Sequence, residues 1–99
     1  MRAILSALLI LNAQPTLAED FRPLPLYEAA RIVSERYHGR LIGARLMLPT
    51  PHERGLGADL VEELRLLTPE QSLLVVRLDA RDGRFLQVNG VGQTKALKR

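Results

Sequence analysis

The chain has 99 residues, no cysteine and a formal net charge of +3 at pH 7. This length bounds the fold to one small domain, and the absence of cysteine excludes disulfide crosslinks and thiol catalysis. So mild a positive charge argues against a dedicated nucleic-acid binder.

Residues 1–18 have the layout of a secretory signal peptide. Met1 and Arg2 form a short positive region, a largely apolar run follows, and Thr16-Leu17-Ala18 places small residues before a cleavage site. The apolar run is much shorter than the roughly 20 residues that a membrane-spanning helix needs. We therefore expect cleavage after Ala18, export of a soluble chain and a periplasmic location.

The first predicted element is an amphipathic helix over residues 26–38. Its apolar residues recur at helical spacing and form one stripe, comprising Leu26, Ala29, Ala30, Val33 and Tyr37. Residues 40–48 then alternate as in a strand, with one face formed by Ile42, Ala44, Leu46 and Leu48. The helix and the first strand are thus joined by a very short connection.

Residues 49–57 are predicted to form a loop, because two prolines and two glycines interrupt the pattern. Three more strands are predicted at residues 59–67, 72–79 and 84–89. Residues 59–67 contain good helix formers, so a helix is also possible there. The proline-containing turn and the β-branched run that follow favour a strand. Residues 90–99 are expected to form a polar, basic and frayed tail.

The last two strands carry the pattern of an antiparallel hairpin. Apolar runs on both sides flank Ala80-Arg81-Asp82-Gly83, which suits a type I turn followed by a glycine at positive φ. One helix on one face of such a sheet gives a two-layer α+β domain. The predicted fold is therefore an N-terminal helix packed on a four-stranded antiparallel sheet, in the order α-β-β-β-β, within residues 19–89.

Several segments carry a resemblance to a known family. They are Leu26-Tyr27-Glu28-Ala29-Ala30, Gly39-Arg40-Leu41-Ile42, Leu64-Arg65-Leu66-Leu67-Thr68-Pro69-Glu70 and the hairpin from Val75 to Leu86. With this layout the chain resembles the PepSY family of small exported bacterial proteins. The resemblance implies a helix-on-sheet fold and a non-enzymatic module that inhibits or chaperones peptidases, or senses in the cell envelope.

Glu62 departs from the family pattern, in which an aromatic residue commonly occupies this position. It shares a strand face with Leu60, Leu64 and Leu66. One interpretation is a carboxyl group held near a pocket with a raised pKa. The other is that Glu62 lies at the rim of the sheet and reaches water or a nearby arginine.

Catalytic and metal-binding patterns are weak in this sequence. His38 and His52 are the only histidines and lack further ligands at suitable spacing. Asp79 and Asp82 lack the remaining oxygen ligands of a calcium loop. The sequence therefore predicts no enzyme activity, no metal site and no cofactor.

The most useful functional indication is the sheet face that the helix does not cover. A large exposed apolar patch usually marks an interaction surface. We expect this face, or an exposed edge strand, to hold a protein or peptide partner in the cell envelope. The candidate binding residues are Leu73, Val75 and Phe85, with Arg77 and Arg84 close to the hairpin turn.

Three alternatives to this prediction stay open. The apolar face could form a homodimer interface in a self-associating structural protein. The tail or the long loop could instead fold over the face and leave no binding surface. A sensor of a small ligand or a metal ion is the third.

The arginines of the hairpin are a separate feature. They could meet an acidic partner or lipid headgroups, or be solvated.

Overall fold

The computed structural model describes residues 22–98. The predicted signal peptide, residues 1–18, lies outside the described residues and stays a prediction. Within the described residues, no helix has the length and apolar character needed to cross a membrane.

Helix α1 spans Leu26–Arg36 and follows an extended Pro25. Ala29 and Val33, from the apolar stripe, are buried in the core, whereas Leu26 at its first turn is half exposed. The helix ends because Tyr37 adopts an extended conformation, and its side chain is buried beside the core. The predicted helix is thus confirmed and is two residues shorter at its C-terminal end.

The sheet consists of β1 (Arg40–Met47), β2 (Val61–Leu67), β3 (Leu73–Asp79) and β4 (Phe85–Asn89). The strands lie in the order β1-β2-β3-β4, and each is antiparallel to its neighbours. The predicted α+β fold, with one helix before a four-stranded antiparallel sheet, is confirmed. Strands β1 and β4 are the edges of this sheet.

The β3–β4 hairpin has the predicted turn. Gly83 adopts φ 80°, and its N–H donates to the Asp79 carbonyl at 2.8 Å. The Asp79 N–H in turn donates to the Arg84 carbonyl at 2.8 Å. Glycine is favoured here because residues with a Cβ rarely adopt such a φ.

The core lies between α1 and the central part of the sheet. Its buried members are Ala29, Val33, Tyr37, Leu64, Leu66, Leu74, Val76, Leu78 and Ala96, with Ile32, Leu41, Phe85 and Val88 packed around them. Most of these strand residues belong to β2, β3 and β4. The helix therefore covers the sheet unevenly, and only Leu41 represents β1 in the core.

Two segments differ from the sequence-based expectation. The predicted loop contains a short helix, α2 (Pro51–Gly55). The expectation of a frayed tail is wrong up to Lys98, because α3 (Gln93–Ala96) packs Ala96 into the core. The Ala96 carbonyl accepts the His38 N–H at 2.6 Å, and the Lys98 N–H donates to the Arg36 carbonyl at 2.7 Å. These contacts join the tail to the end of α1.

Candidate functional site

The two faces of the sheet are chemically different. On the helix side, Glu62 of β2 lies between Leu46 of β1 and Leu78 of β3. On the far side, Glu63 of β2 lies between Arg45 and Arg77. Because strand side chains alternate, every arginine within the four strands lies on the far side. These are Arg40, Arg45, Arg65 and Arg77.

The far face carries a network of ion pairs that is buried at Arg77, Glu53 and Glu63 and exposed at Arg45. Arg77 donates from Nε to Glu53 Oε2 at 2.6 Å and from Nη2 to Glu53 Oε1 at 2.9 Å. Its Nη1 donates to Glu63 Oε2 at 2.6 Å. Arg45 Nε completes the network by donating to Glu63 Oε1 at 3.0 Å. Two cations thus meet two carboxylates, and α2 is held onto the sheet through Glu53.

Glu53 also closes the N-terminus of α2. Its side chain accepts the N–H of Thr50 at 2.9 Å, and its own N–H donates to Thr50 Oγ1 at 3.1 Å. This reciprocal arrangement is a capping box. Glu53 is fully buried, with 0% of its surface exposed. One side chain therefore both starts the helix and anchors it to the sheet.

The network shifts the pKa values of Glu53, Glu63 and Arg77. Hydrogen bonds from Arg77 hold the pKa of Glu53 below its usual value. Burial alone would raise the pKa of Glu63, but hydrogen bonds from Arg45 and Arg77 outweigh burial and lower it. The Glu53 hydrogen bond raises the pKa of Arg77. Glu53, Glu63 and Arg77 are therefore held in their charged forms.

The far face is consequently not the open apolar surface expected from the sequence. Leu73 and Val75 do lie on it and are half-buried. Arg77, by contrast, is buried within the network and is not available to a partner. Arg84 donates to the Leu56 carbonyl at 2.6 Å and lies 3.4 Å from Asp79. The long loop thus covers part of this face, which was one of the open alternatives.

Phe85 lies on the helix side of the sheet and not on the far face, where one possible register would have placed it. Phe85 pairs with Leu78 and packs against the core on the helix side. The Arg36 guanidinium lies 3.9 Å from the centroid of its ring, and the Tyr37 ring is 6.4 Å away. A bulge between Arg77 and Leu78 shifts the register of β4, and this shift could not be read from alternation.

The open apolar surface lies instead on the helix side, above β1. We call it the β1 groove and define it by Leu26, Ala44 and Leu46, with Glu62 at its floor. Leu26 and Leu46 are each 50% exposed, and Ala44 is exposed. Two further exposed apolar residues, Ile42 at the bulge of β1 and Leu48 just after its end, flank the groove.

The start of α1 and the end of β1 lie at the same end of the molecule. The Leu24 N–H donates to the Ala80 carbonyl, and the Ala80 N–H donates to the Leu60 carbonyl. Met47 in turn pairs with Val61 at the start of β2. Leu26, Leu46 and Glu62 therefore all lie near this end of the molecule.

Glu62 is the unusual member of the groove. It is only 6% exposed, and its Oε1 has no hydrogen-bond partner among the described residues. Burial raises the pKa of its carboxyl group. Among the described residues Glu62 pairs with no arginine, and the direction of its pKa shift agrees with the first interpretation.

The histidines do not meet. His38 lines a cleft of about 430 Å³ beside the turn between β2 and β3, together with Arg40, Thr68 and Gln71. His52 is exposed on α2. Within residues 22–98, no three His, Cys, Asp or Glu side chains gather in a way that could hold a metal ion.

Two features of the site were missed by sequence reasoning. The motif Thr50-Pro51-His52-Glu53 has the spacing of a capping box with proline at the first helical position, and it could have indicated α2. The Arg77 network had no comparable signal, because its partners are separated by 14 and 24 residues.

Compared with known proteins, the chain matches no protein-family model, no curated protein and no solved structure.

Proposed function

We propose that this chain is a non-enzymatic, exported binding module of the PepSY type, which holds a segment of a partner protein in the β1 groove and along the edge of β1. Regulation or inhibition of an envelope peptidase or signalling protein is the consequence we assign to this binding. The single observation that carries the proposal is the uncovered apolar surface above an edge strand.

The edge of β1 supports this proposal through its backbone. An edge strand presents unpaired N–H and C=O groups that can accept another strand. Peptide recognition by strand addition uses these groups for affinity and side-chain pockets for specificity. In β1, Ile42 and Leu46 supply exposed apolar side chains next to these groups.

The width of the sheet also supports an additional layer. Four strands spaced about 4.8 Å apart make a sheet roughly 19 Å wide. One helix with its side chains covers about 10 Å. The remaining width is enough for one more polypeptide segment, and it lies above β1 because α1 packs against β2, β3 and β4.

A display library of peptides long enough to span β1 tests the proposal. The bait is the protein secreted by an expression host, with mass spectrometry checking for an N-terminus at Glu19. We expect peptides that bind the wild type and lose binding to Leu46→Gln. The matched control is Val91→Gln, because Val91 is exposed and lies outside the groove.

Two results would overturn the proposal. One is a library that yields no peptide sensitive to Leu46→Gln. The other is a stable dimer in sedimentation equilibrium that Leu46→Gln dissociates, because a second copy would then occupy the groove. That result would favour the alternative of a self-associating envelope protein.

A further inference from the structure

We propose that Glu62 determines the specificity of the β1 groove by selecting partner segments that carry a lysine or arginine among apolar side chains. This inference rests on the proposed function and deepens it, because it names the chemistry of the partner. It is carried by the unpartnered carboxyl group at the floor of an otherwise apolar groove.

A buried carboxyl group without a partner is costly. Removing such a group from water costs free energy unless a donor replaces the lost hydrogen bonds. Leu46 and Leu78, the cross-strand neighbours of Glu62, are apolar and donate nothing. The free protein therefore keeps an acceptor that a bound cation would satisfy.

The described chain does not supply this cation. All arginines of the four strands lie on the far side of the sheet. On α1, Arg31 is paired with Glu28 and Glu35, and Arg36 lies over the ring of Phe85. The cation that matches Glu62 must come from the occupant of the groove.

Charge complementarity also favours a different protein over a second copy. A second copy that packed groove to groove would bring another Glu62 towards the first, without a matching cation. The residues that follow the expected cleavage site, Glu19-Asp20-Phe21-Arg22, carry two acidic side chains and one basic side chain, so the net charge of their side chains is negative. A partner segment with one basic residue fits better than either.

Access to Glu62 requires only side-chain movement. Leu46 is half exposed beside it, and the glutamate side chain has rotatable torsions that can bring its carboxyl group to the groove surface. A lysine or arginine in the partner then forms a charge-assisted hydrogen bond in a site with little water. Apolar neighbours of that residue pack on Leu26, Ala44 and Leu46.

The test compares peptides selected from the same display library on the wild type and on Glu62→Gln. We expect lysine or arginine to be enriched at one position in the wild-type set and absent from the Glu62→Gln set. Replacing that residue by norleucine should weaken binding to the wild type about tenfold, because a hydrogen bond between charged groups is lost. The same replacement should leave binding to Glu62→Gln unchanged. Glu70→Gln, which alters an exposed carboxyl group, is the control.

The outcomes separate this inference from the proposed function. Peptides that depend on Leu46 but show no basic preference overturn the role of Glu62 and leave the groove as a binding site. A basic preference that persists in Glu62→Gln also overturns it, because another group would then select the cation. Peptides that are insensitive to Leu46→Gln overturn the proposed function itself.

Discussion

Both faces of the sheet bury glutamate side chains, and Glu53 on the far face and Glu62 on the helix side have opposite surroundings. Glu53, on the far face, receives two hydrogen bonds from Arg77 and one from the backbone of Thr50. Glu62, on the helix side, keeps an oxygen without a partner in the described chain. Their pKa values are accordingly shifted in opposite directions.

This contrast separates a structural charge from a candidate functional charge. A buried carboxylate with a complete set of partners holds α2 in place and needs no ligand. A buried carboxyl group without partners costs stability, and proteins tolerate such costs mainly where binding or chemistry uses the group. The same residue type is thus fully hydrogen-bonded in one place and keeps an oxygen without a partner in the other.

The largest expected effect comes from removing the cation of the far face. Arg77→Met leaves the buried carboxylate of Glu53 without a cation and removes one of the two arginines paired with Glu63, which should destabilise the protein by about 3–5 kcal/mol. Urea unfolding measures the loss. Arg65→Met is the control, because Arg65 lies on the same face and is exposed. Equal stability of the two variants would contradict a structural role for the network.

A smaller loss is expected when the charge of Glu53 is removed but its shape is kept. Glu53→Gln should cost about 2 kcal/mol at pH 7, since hydrogen bonds between charged groups are lost. The pKa of Glu53 is lowered from 4.5 in the folded state, so its contribution is complete above that pH and is lost as the pH falls through the folded value. Unfolding curves of the two proteins should therefore converge in acid. A difference that stays constant down to pH 2 would contradict this.

The opposite sign is expected on the helix side. Glu62→Met replaces an unpartnered carboxyl group by an apolar side chain and should stabilise the protein by about 1–2 kcal/mol at pH 7. The pKa of Glu62 is raised from 4.5 in the folded state, so as the pH falls the folded protein binds a proton at Glu62 before the unfolded chain does. The wild type therefore gains stability as the pH falls through the raised value. The advantage of Glu62→Met should shrink towards pH 4.5. Glu70→Met is the control, and a destabilised Glu62→Met would show that the carboxyl group has a partner.

The smallest effect on stability is expected within the groove. Leu46→Gln should change the free energy of unfolding by no more than about 0.5 kcal/mol, because Leu46 is half exposed. Leu64→Ala, on the same face but fully buried, should cost about 2–5 kcal/mol. Thermal unfolding compares the two. A large loss for Leu46→Gln would mean that the groove belongs to the core and is not free for a partner.

Sequence reasoning predicted the fold well where local patterns decide it. The helical stripe around Ala29 and Val33, the alternation of the strands and the turn at Gly83 each reflect interactions between residues close in the chain. It was less successful for the position of the exposed apolar surface. The face of Phe85 depended on the register of β4, and a bulge places it on the helix side; bulges leave little trace in composition.

By itself, the sequence determined the α+β fold, the order of its strands along the chain and the presence of Glu62 among leucines, because hydrophobic periodicity and turn chemistry are local properties. Tertiary structure decided which face is open. It brought Glu53 of α2 onto Arg77 and packed Ala96 of the tail into the core. Among residues 22–98, it left much of β1 without a covering layer. Those outcomes depend on contacts between residues far apart in the chain, which no local pattern encodes.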